Sequence, residues 1–260
     1  MASKFLQTYY NFNVFNFLSF WGMRQLRNLN FIIIWKKFIM RINFLNSFAS
    51  HKRSTSSAKI LAITGSTGKT SLKNLIKELL QNFGETYASP RSYNNHFGVP
   101  ISLSNLSYED KFGVFEVGMS KPGEIRNLTK LIKPHIGIIT NIGEAHIENF
   151  KNIHGIAKAK SEIIENIKVG GTVILNRDDK FFNFLSQKAK KYKLNISTFG
   201  KHKDSDVRID KIIRKVNKSK IFIKIKNQKI NLEIRDINFY NVLASLAVLK
   251  ELNLDLSNIL

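Results

Sequence analysis

The strongest chemical signal in the sequence is a phosphate-binding loop. Residues 60–71 read Ile-Leu-Ala-Ile-Thr-Gly-Ser-Thr-Gly-Lys-Thr-Ser, an apolar strand followed by a glycine-containing turn and the start of a helix. Glycines let backbone N–H groups surround phosphate oxygens, and a helix N-terminus adds partial positive charge. Lys69 would then reach the terminal phosphates of ATP, and the Thr70 hydroxyl would bind Mg²⁺. The residues expected to bind the nucleotide here are Gly65, Ser66, Thr67, Gly68, Lys69, Thr70 and Ser71.

This loop is shorter than the common P-loop. The common form has a glycine six positions before the lysine, and Ile63 stands there in this chain. A plain glycine-rich turn between a strand and a helix is the structural alternative. The apolar strand before the turn and the helical stretch after it favour phosphate binding.

Other polar residues follow apolar strands. Glu116 follows the run that begins at Phe112, and Asn141 and His146 follow the run that begins at Ile136. In open α/β sheets, ligands bind at the carboxyl ends of the strands. The alternative for Glu116 is a surface residue at a strand end, and a single histidine is, without further evidence, more often structural or exposed. The residues alone therefore do not decide whether Glu116 and His146 bind a ligand or have no role in binding.

Short β-rich runs alternate with helical stretches from Lys59 onward, a pattern typical of βαβ units and a mostly parallel sheet. The predicted strands are Ile60–Thr64, Phe112–Val117, Ile136–Asn141, Thr172–Asn176 and Ile196–Phe199. The predicted helices are Ser71–Phe83, Gly123–Ile132, Ile156–Ile167, Lys180–Tyr192 and Phe239–Leu252. Residues Val207–Ile234 alternate apolar and polar side chains, which predicts a small antiparallel sheet appended to the parallel one. The expected fold class is α/β, with a P-loop-type sheet flanked by helices.

The first 58 residues differ in composition from the rest. Residues 1–59 contain nine Lys or Arg and no acidic residue, and they are rich in aromatic side chains. The longest uncharged stretch contains Gln7, Asn11 and Asn13, so it is a poor membrane span. We expect residues 1–58 to be an atypical basic leader that ends in a linker at His51–Ser57, and residues 59–260 to form one domain. An interfacial helix that contacts a membrane is the alternative.

The composition excludes several classes of function. The chain has 260 residues and no cysteine, so disulfides, thiolate metal sites and cysteine nucleophiles are ruled out. Its formal net charge of +22 would suit nucleic acid, an anionic membrane or a phosphorylated substrate. The lysines are spread along the chain and not gathered in one block. This favours a general bias of the amino-acid composition over a dedicated binding surface as the origin of the charge. We therefore expect no nucleic-acid binding, although a basic nucleic-acid-binding protein stays an alternative that rests on charge.

Six further segments resemble motifs of the ATP-dependent Mur ligases and follow the same order. They are residues 91–100, 115–119, 122–125, 140–150, 156–163 and 175–179. Together with the short loop, they make the chain similar to the central domain of these ligases, and most closely to the type that adds D-alanyl-D-alanine. Other Mur ligases and the related folylpolyglutamate synthetases share this chemistry, and they remain alternatives.

The resemblance implies roles for individual residues. Glu116 would bind Mg²⁺ beside Thr70, and His146 would bind a second Mg²⁺. Lys160 would be carbamylated, which makes it an anion able to bind Mg²⁺, and Lys69, His146 and Lys160 would be catalytic. Lys158, two residues before Lys160, is expected to face solvent. The residues implied to face the UDP-muramyl peptide are Asn94, Asn95 and His96. Those implied to contact the nucleotide beyond the loop are Asn141 and Asn241, although Tyr240 and Ala244 depart from the family pattern beside Asn241.

The implied activity is ATP-dependent amide-bond formation in peptidoglycan precursor synthesis. ATP would phosphorylate the terminal carboxylate of UDP-MurNAc-tripeptide, and the amine of D-Ala-D-Ala would attack the acyl phosphate. We expect a cytoplasmic monomer that uses ATP and Mg²⁺. Residues 1–41 do not resemble the family's UDP-binding domain, and residue 260 precedes its C-terminal domain, so we expect this chain alone to be inactive. A fragment, a split gene, a misread frame and a non-catalytic nucleotide-binding remnant all remain open.

Overall fold

The computed structural model describes residues 29–145, 147–214, 219–225, 228–234 and 238–256, with the side chains of 29–39, 41 and 214 left out. The chain divides into two compact units, Met1–Leu45 and Asn46–Leu260. The described part of the first unit is helical and belongs to helix α1 (Leu29–Thr55), which ends in the second unit. None of the described helices combines the length and the apolar character that crossing a bilayer requires.

A nine-stranded sheet, counted within the described residues, forms the centre of the second unit. Its order is β2-β3-β1-β4-β5-β6-β7-β8-β9, parallel as far as β7 and antiparallel from β7 to β9. The strands are β1 (Lys59–Thr64), β2 (Thr86–Ala88), β3 (Phe112–Glu116), β4 (Ile136–Ile139), β5 (Thr172–Asn176), β6 (Asn195–Gly200), β7 (Val207–Arg214), β8 (Ser219–Ile225) and β9 (Gln228–Ile234). The predicted fold class, a mostly parallel sheet with an antiparallel extension, is confirmed.

Helices cover both faces of this sheet. They are α2 (Lys69–Gln81), α3 (Gly98–Ser104), α4 (Glu124–Ile132), α5 (Ile153–Lys160), α6 (Phe182–Lys191) and α7 (Phe239–Glu251), with 3₁₀ turns at Ile147–Asn149 and Ser161–Asn166. Successive side chains of a strand point to opposite faces. Ile60 of β1 therefore packs in one apolar layer and Leu61 in the other, which includes residues of α2 and α7. Burial on both faces explains why β1 is apolar almost throughout.

Several predicted elements end earlier than expected, and two of them show why. Strand β4 ends at Ile139. The next residue still donates its N–H to Thr64 O at the end of β1, and the side chains of Thr140 and Asn141 bond to the loop that follows β1. The helix predicted over Ile156–Ile167 begins at Ile153, where the Asn152 side chain caps it, and it tightens into a 3₁₀ turn after Lys160. Strand β2 and helix α3 were not predicted, since each is short and has little periodicity.

The linker predicted at His51–Ser57 is wrong for residues 51–55, which continue helix α1. Arg53 is 4% exposed, and its guanidinium donates to Ile132 O at 2.6 Å and to Lys133 O at 2.8 Å. These bonds satisfy carbonyls at the C-terminal end of α4, which lack partners within their own helix. Long-range capping therefore holds this segment in place. The predicted domain boundary near residue 58 stays a prediction.

Candidate nucleotide site

The turn between β1 and α2 requires glycine at two positions. Gly65 has φ 151°, and a Cβ there would lie 1.8 Å from Oγ1 of Thr140. Gly68, which precedes the first residue of α2, has the left-handed φ of 80°. Both conformations are costly for a residue with a side chain. The glycines identified in the sequence therefore let the chain turn closely against the end of β4.

Residues after β4 hold this loop in shape. The Oδ1 atom of Asn141 accepts hydrogen bonds from the backbone N–H of Ser66 at 3.1 Å and of Thr67 at 3.0 Å. The Thr140 hydroxyl donates to Thr67 O at 2.7 Å, and the Ser66 hydroxyl bonds to the backbone of Gly143. Asn141, predicted to contact the nucleotide, thus supports the loop that would bind phosphate.

Two lysines converge on one carbonyl of the loop. Lys69 Nζ donates to Gly65 O at 2.8 Å, and Lys160 Nζ donates to the same oxygen at 2.9 Å. Lys160 is 2% exposed, whereas Lys158 lies on the exposed face of α5. Burial, with a further contribution from the charge of Lys69, lowers the pKa of Lys160 to about 7. Burial also lowers the pKa of Lys69, and the nearby Glu116 carboxylate opposes that shift.

The carboxylate of Glu116 lies at the end of β3, beside the loop. It is 3% exposed and accepts from the Thr70 hydroxyl at 2.8 Å and from the Asn94 amide at 3.0 Å. Lys73 Nζ lies 3.8 Å from Glu116 Oε2, and Lys73 is itself 2% exposed. Burial lowers the pKa of Lys73, although Glu116 opposes the shift. Sequence reasoning missed Lys73; its position four residues after Lys69, on the same helix face, was the available signal.

A Thr hydroxyl and a carboxylate are the oxygen ligands that Mg²⁺ prefers, with nucleotide phosphates and water completing the coordination. Thr70 and Glu116 therefore fit one Mg²⁺ beside bound nucleotide. Among the described residues, no three His, Cys, Asp or Glu side chains form a group able to hold a metal by themselves. His146, the predicted ligand of a second Mg²⁺, lies outside the described residues.

In the predicted substrate loop, two of the three residues form side-chain hydrogen bonds with other groups of the protein. Asn94 donates to Glu116, and the Asn95 side chain accepts from the N–H groups of Phe97 and Gly98 at the start of α3. His96 is exposed, with its ring 4.1 Å from that of Phe97. Asn94 therefore joins this loop to the Glu116 carboxylate.

A cavity of about 440 Å³ opens beside the loop. Its lining includes Thr67, Asn141, Asp178, Asp179, Tyr240 and Asn241. The Tyr240 hydroxyl donates to Asp178 at 3.1 Å, and burial together with the Asp178 charge raises the pKa of Tyr240 to about 12. Asn241, predicted to contact adenine, is 4% exposed and its amide lies 3.4 Å from Gly68 O. The size and polar lining suit a nucleoside next to the phosphate loop.

The geometry agrees with comparisons to known proteins. A family model described as the Mur ligase middle domain matches residues 63–249. The chain belongs to the Mur ligase family. It is 36% identical over 203 residues to the UDP-N-acetylmuramoyl-tripeptide–D-alanyl-D-alanine ligase of Buchnera aphidicola, an alignment that covers 78% of this chain and 45% of the relative.

Solved structures of Mur ligases show the same fold. MurF from Acinetobacter baumannii aligns with a TM-score of 0.78 and 29% identity, over 83% of this chain and 48% of that protein. MurF ligase from Thermotoga maritima, solved in complex with ADP, aligns with a TM-score of 0.74 and 25% identity, over 84% of this chain and 51% of that protein. The chain thus spans about half the length of the Mur ligases it matches.

Proposed function

We propose that this chain is the ATP-binding part of a Mur ligase that joins D-Ala-D-Ala to UDP-MurNAc-tripeptide. The observation that carries the proposal is the joint placement of Lys69, Thr70 and Glu116 around one glycine loop, where Thr70 Oγ1 lies 2.8 Å from the Glu116 carboxylate. Support for the substrates comes from the curated relatives, whose names specify this ligation. We further propose a cytoplasmic location and a monomeric state.

The proposed reaction has two chemical steps. An oxygen of the tripeptide's terminal carboxylate forms a bond to the γ-phosphorus of ATP as the bond to the β-phosphate oxygen breaks, which releases ADP. The amine of D-Ala-D-Ala then attacks the acyl carbon, the C–O bond to phosphate breaks, and the amine's proton leaves with the solvent. Lys69 would oppose the negative charge that develops on the phosphoryl oxygens. Mg²⁺ held by Thr70 and Glu116 would supply further positive charge at the phosphates.

Lys160 is proposed to carry a carbamate. Its burial and its pKa of about 7 leave much of the amine neutral near neutral pH, and a neutral amine is the form that attacks CO₂. The reaction forms an N–C bond and releases one proton, so the lysine becomes an anion. That anion, with His146, is the proposed ligand pair for a second Mg²⁺.

Carbon NMR tests the carbamate directly. With ¹³C-labelled bicarbonate, the wild-type chain should give a carbamate signal that Lys160→Gln abolishes. Lys158→Gln is the matched control, because Lys158 is exposed on the same helix and should leave the signal unchanged. A signal that survives in Lys160→Gln would assign the carbamate to another amine.

Thermal denaturation with Mg·ATP tests the nucleotide site. At a hundredfold excess over Kd, binding to the native state should add about 2.7 kcal/mol to the free energy of unfolding. Lys69→Ala should remove most of this gain, because it deletes the phosphate-facing cation. Lys77→Ala, on the same helix two turns later, should retain it. Equal stabilisation of Lys69→Ala and the wild type would contradict the assignment of the loop.

Phosphate release tests the ligation. The 260-residue polypeptide alone should bind Mg·ATP and form no UDP-MurNAc-pentapeptide. Positioning both reactants contributes about 7–11 kcal/mol to such reactions, and the chain covers only about half the length of the matched relatives. Joining it to the flanking parts of the A. baumannii ligase should give release that requires both UDP-MurNAc-tripeptide and D-Ala-D-Ala. Release with a different amine would indicate another ligase of the superfamily. A chimera that binds ATP without any release would indicate a nucleotide-binding remnant.

A further inference from the structure

A second cluster of basic side chains lies at the opposite edge of the sheet, where the parallel strands begin. Lys59 starts β1, His135 directly precedes β4, and Lys168 lies before β5. Arg53 and Lys133 adjoin them, because the Arg53 guanidinium bonds to Lys133 O. The nucleotide site lies at the carboxyl ends of the same strands, so this cluster belongs to a different surface. We call these five residues the amino-edge cluster.

Backbone hydrogen bonds fix the two central residues of the amino-edge cluster. His135 pairs with β1 through its N–H, which donates to Ile60 O at 2.8 Å. The N–H of Lys168 donates to Pro134 O at 2.8 Å, and Gly171 closes the following turn by donating to Lys168 O at 2.8 Å. Lys168 is therefore held next to His135 by the main chain, unlike a lysine on an independent surface loop.

The side chains of this pair present two donors to each other. His135 Nδ1 accepts the Ile60 N–H at 2.8 Å, so the proton of the neutral ring resides on Nε2. Lys168 Nζ lies 3.1 Å from Nε2. An ammonium group has donors and no acceptor. A ligand oxygen that accepts hydrogen bonds from both the Nε2–H of His135 and the ammonium of Lys168 would give each of these donors an acceptor.

The charge around this pair is unopposed. Within the described part of the chain, Arg53, Lys59, Lys133 and Lys168 form no ion pair with a carboxylate. Burial, followed by the charges of Lys168, Arg53 and Lys59, lowers the pKa of His135 to about 4, so the ring is neutral at pH 7. Burial and the neighbouring cations likewise lower the pKa of Lys168. An anion is the counter-charge that this arrangement lacks.

We propose that the amino-edge cluster binds a phosphate-class oxyanion. The Nε2–H of His135 and the ammonium of Lys168 donate to its oxygens, while Lys59 and Lys133 supply further positive charge. The Arg53 guanidinium donates to carbonyls at the end of α4, so it adds positive charge without donating to the anion. A tetrahedral dianion suits a site of several cations with two adjacent donors. Inorganic phosphate and the phosphate group of a lipid headgroup share this chemistry.

Histidine NMR locates the binding. The ring signals of labelled His135, assigned with His135→Gln, should shift saturably as inorganic phosphate is added at constant ionic strength. Lys168→Gln should weaken the apparent affinity at least tenfold. Lys190→Gln is the matched control, since Lys190 is an exposed lysine of α6 outside the cluster, and it should leave the affinity unchanged. Because the readout is the ring of His135, phosphate bound at the β1–α2 loop does not mimic it.

Vesicle flotation distinguishes the two sources. Binding to phosphatidylglycerol–phosphatidylcholine vesicles that Lys168→Gln abolishes and Lys190→Gln retains assigns the site to a lipid headgroup. A phosphate-induced shift of His135 without vesicle binding assigns it to a soluble anion. The proposal is overturned if neither probe acts through Lys168, or if Lys190→Gln weakens binding as much as Lys168→Gln does, because the attraction would then be that of a generally basic surface.

Discussion

Positive charge is placed differently at the two ends of the parallel strands, which we call the carboxyl edge and the amino edge. At the carboxyl edge, Lys73 is 2% exposed, and its ammonium lies 3.8 Å from a Glu116 carboxylate that also accepts two hydrogen bonds. At the amino edge, Lys59, Lys133 and Lys168 are exposed, and no carboxylate of the described residues pairs with them. Lys73 is thus buried beside a carboxylate that compensates its charge, whereas these three lysines have no such partner and remain in water.

The difference shows how similar residue types can serve different binding modes. The carboxyl edge has an anion of its own and fits a metal together with a nucleotide, since Glu116 and Thr70 offer oxygens. The amino edge offers donors only, at His135 and Lys168, and fits an anion alone. The two edges also differ in the space available for an added Cβ atom. Gly65 is packed against Thr140, whereas a Cβ on Gly170 would meet open space.

The largest effect expected at a fixed pH is that of a methyl group added at the carboxyl edge. Gly65→Ala should lower the free energy of unfolding by about 4 kcal/mol, because it adds backbone strain to a clash with Thr140. Gly170→Ala, at φ 74° with no atom within 4 Å of the added carbon, should lower it by about 1 kcal/mol. Urea denaturation measures both. Equal losses would show that the loop after β1 is no more constrained than the turn before β5.

A smaller effect is expected when the buried cation is removed. Lys73→Met should lower the free energy of unfolding by about 3 kcal/mol, since it leaves the Glu116 carboxylate buried without its counter-charge. The double variant Lys73→Met/Glu116→Gln should recover most of this loss. Lys59→Met, at the amino edge, should change stability by less than about 0.5 kcal/mol. A double variant as unstable as Lys73→Met would show that Lys73 stabilises through packing and not through charge.

The pH dependence of stability should reveal Lys160. Its pKa is about 7 in the folded chain and about 10.4 when unfolded. Between these values the unfolded chain binds more protons, so the free energy of unfolding should rise with pH by up to about 1.4 kcal/mol per unit. Lys160→Met should lack this rise, whereas Lys158→Met should keep it. The buffers must be free of CO₂, so that Lys160 stays an amine. Parallel pH curves for Lys160→Met and the wild type would contradict the assignment of the rise to Lys160.

The smallest effect is expected at the amino-edge cluster. Lys168→Gln removes one of several like charges and should raise the free energy of unfolding by about 0.3 kcal/mol in dilute buffer. The gain should vanish in about 1 M salt, where the Debye length is about 3 Å. The same variant should raise the pKa of His135, measured by NMR, because one repelling cation is gone. A destabilised Lys168→Gln would mean that Lys168 already has a counter-charge in the folded protein.

Local signals were sufficient for the conformation of the loop between β1 and α2 and for the order of the elements. The strand, the turn and the helix at residues 59–81 are contiguous, so their periodicity and glycines predict the geometry that Gly65, Gly68 and Lys69 adopt. The alternation of strands and helices likewise predicted the parallel sheet and its antiparallel extension. The helical end of α1 could not be predicted, because Arg53 is held by carbonyls 79 and 80 residues away.

The sequence alone determined the loop between β1 and α2, since the residues of this loop adjoin one another along the chain. Which other side chains join them depends on how the strands are ordered. Glu116 meets Thr70 across 46 residues because β3 lies next to β1, and Lys73 is buried for the same reason. Lys168 meets His135 across 33 residues because β5 lies next to β4. Contacts of this kind depend on strand order and register, which the pattern of a single strand does not encode.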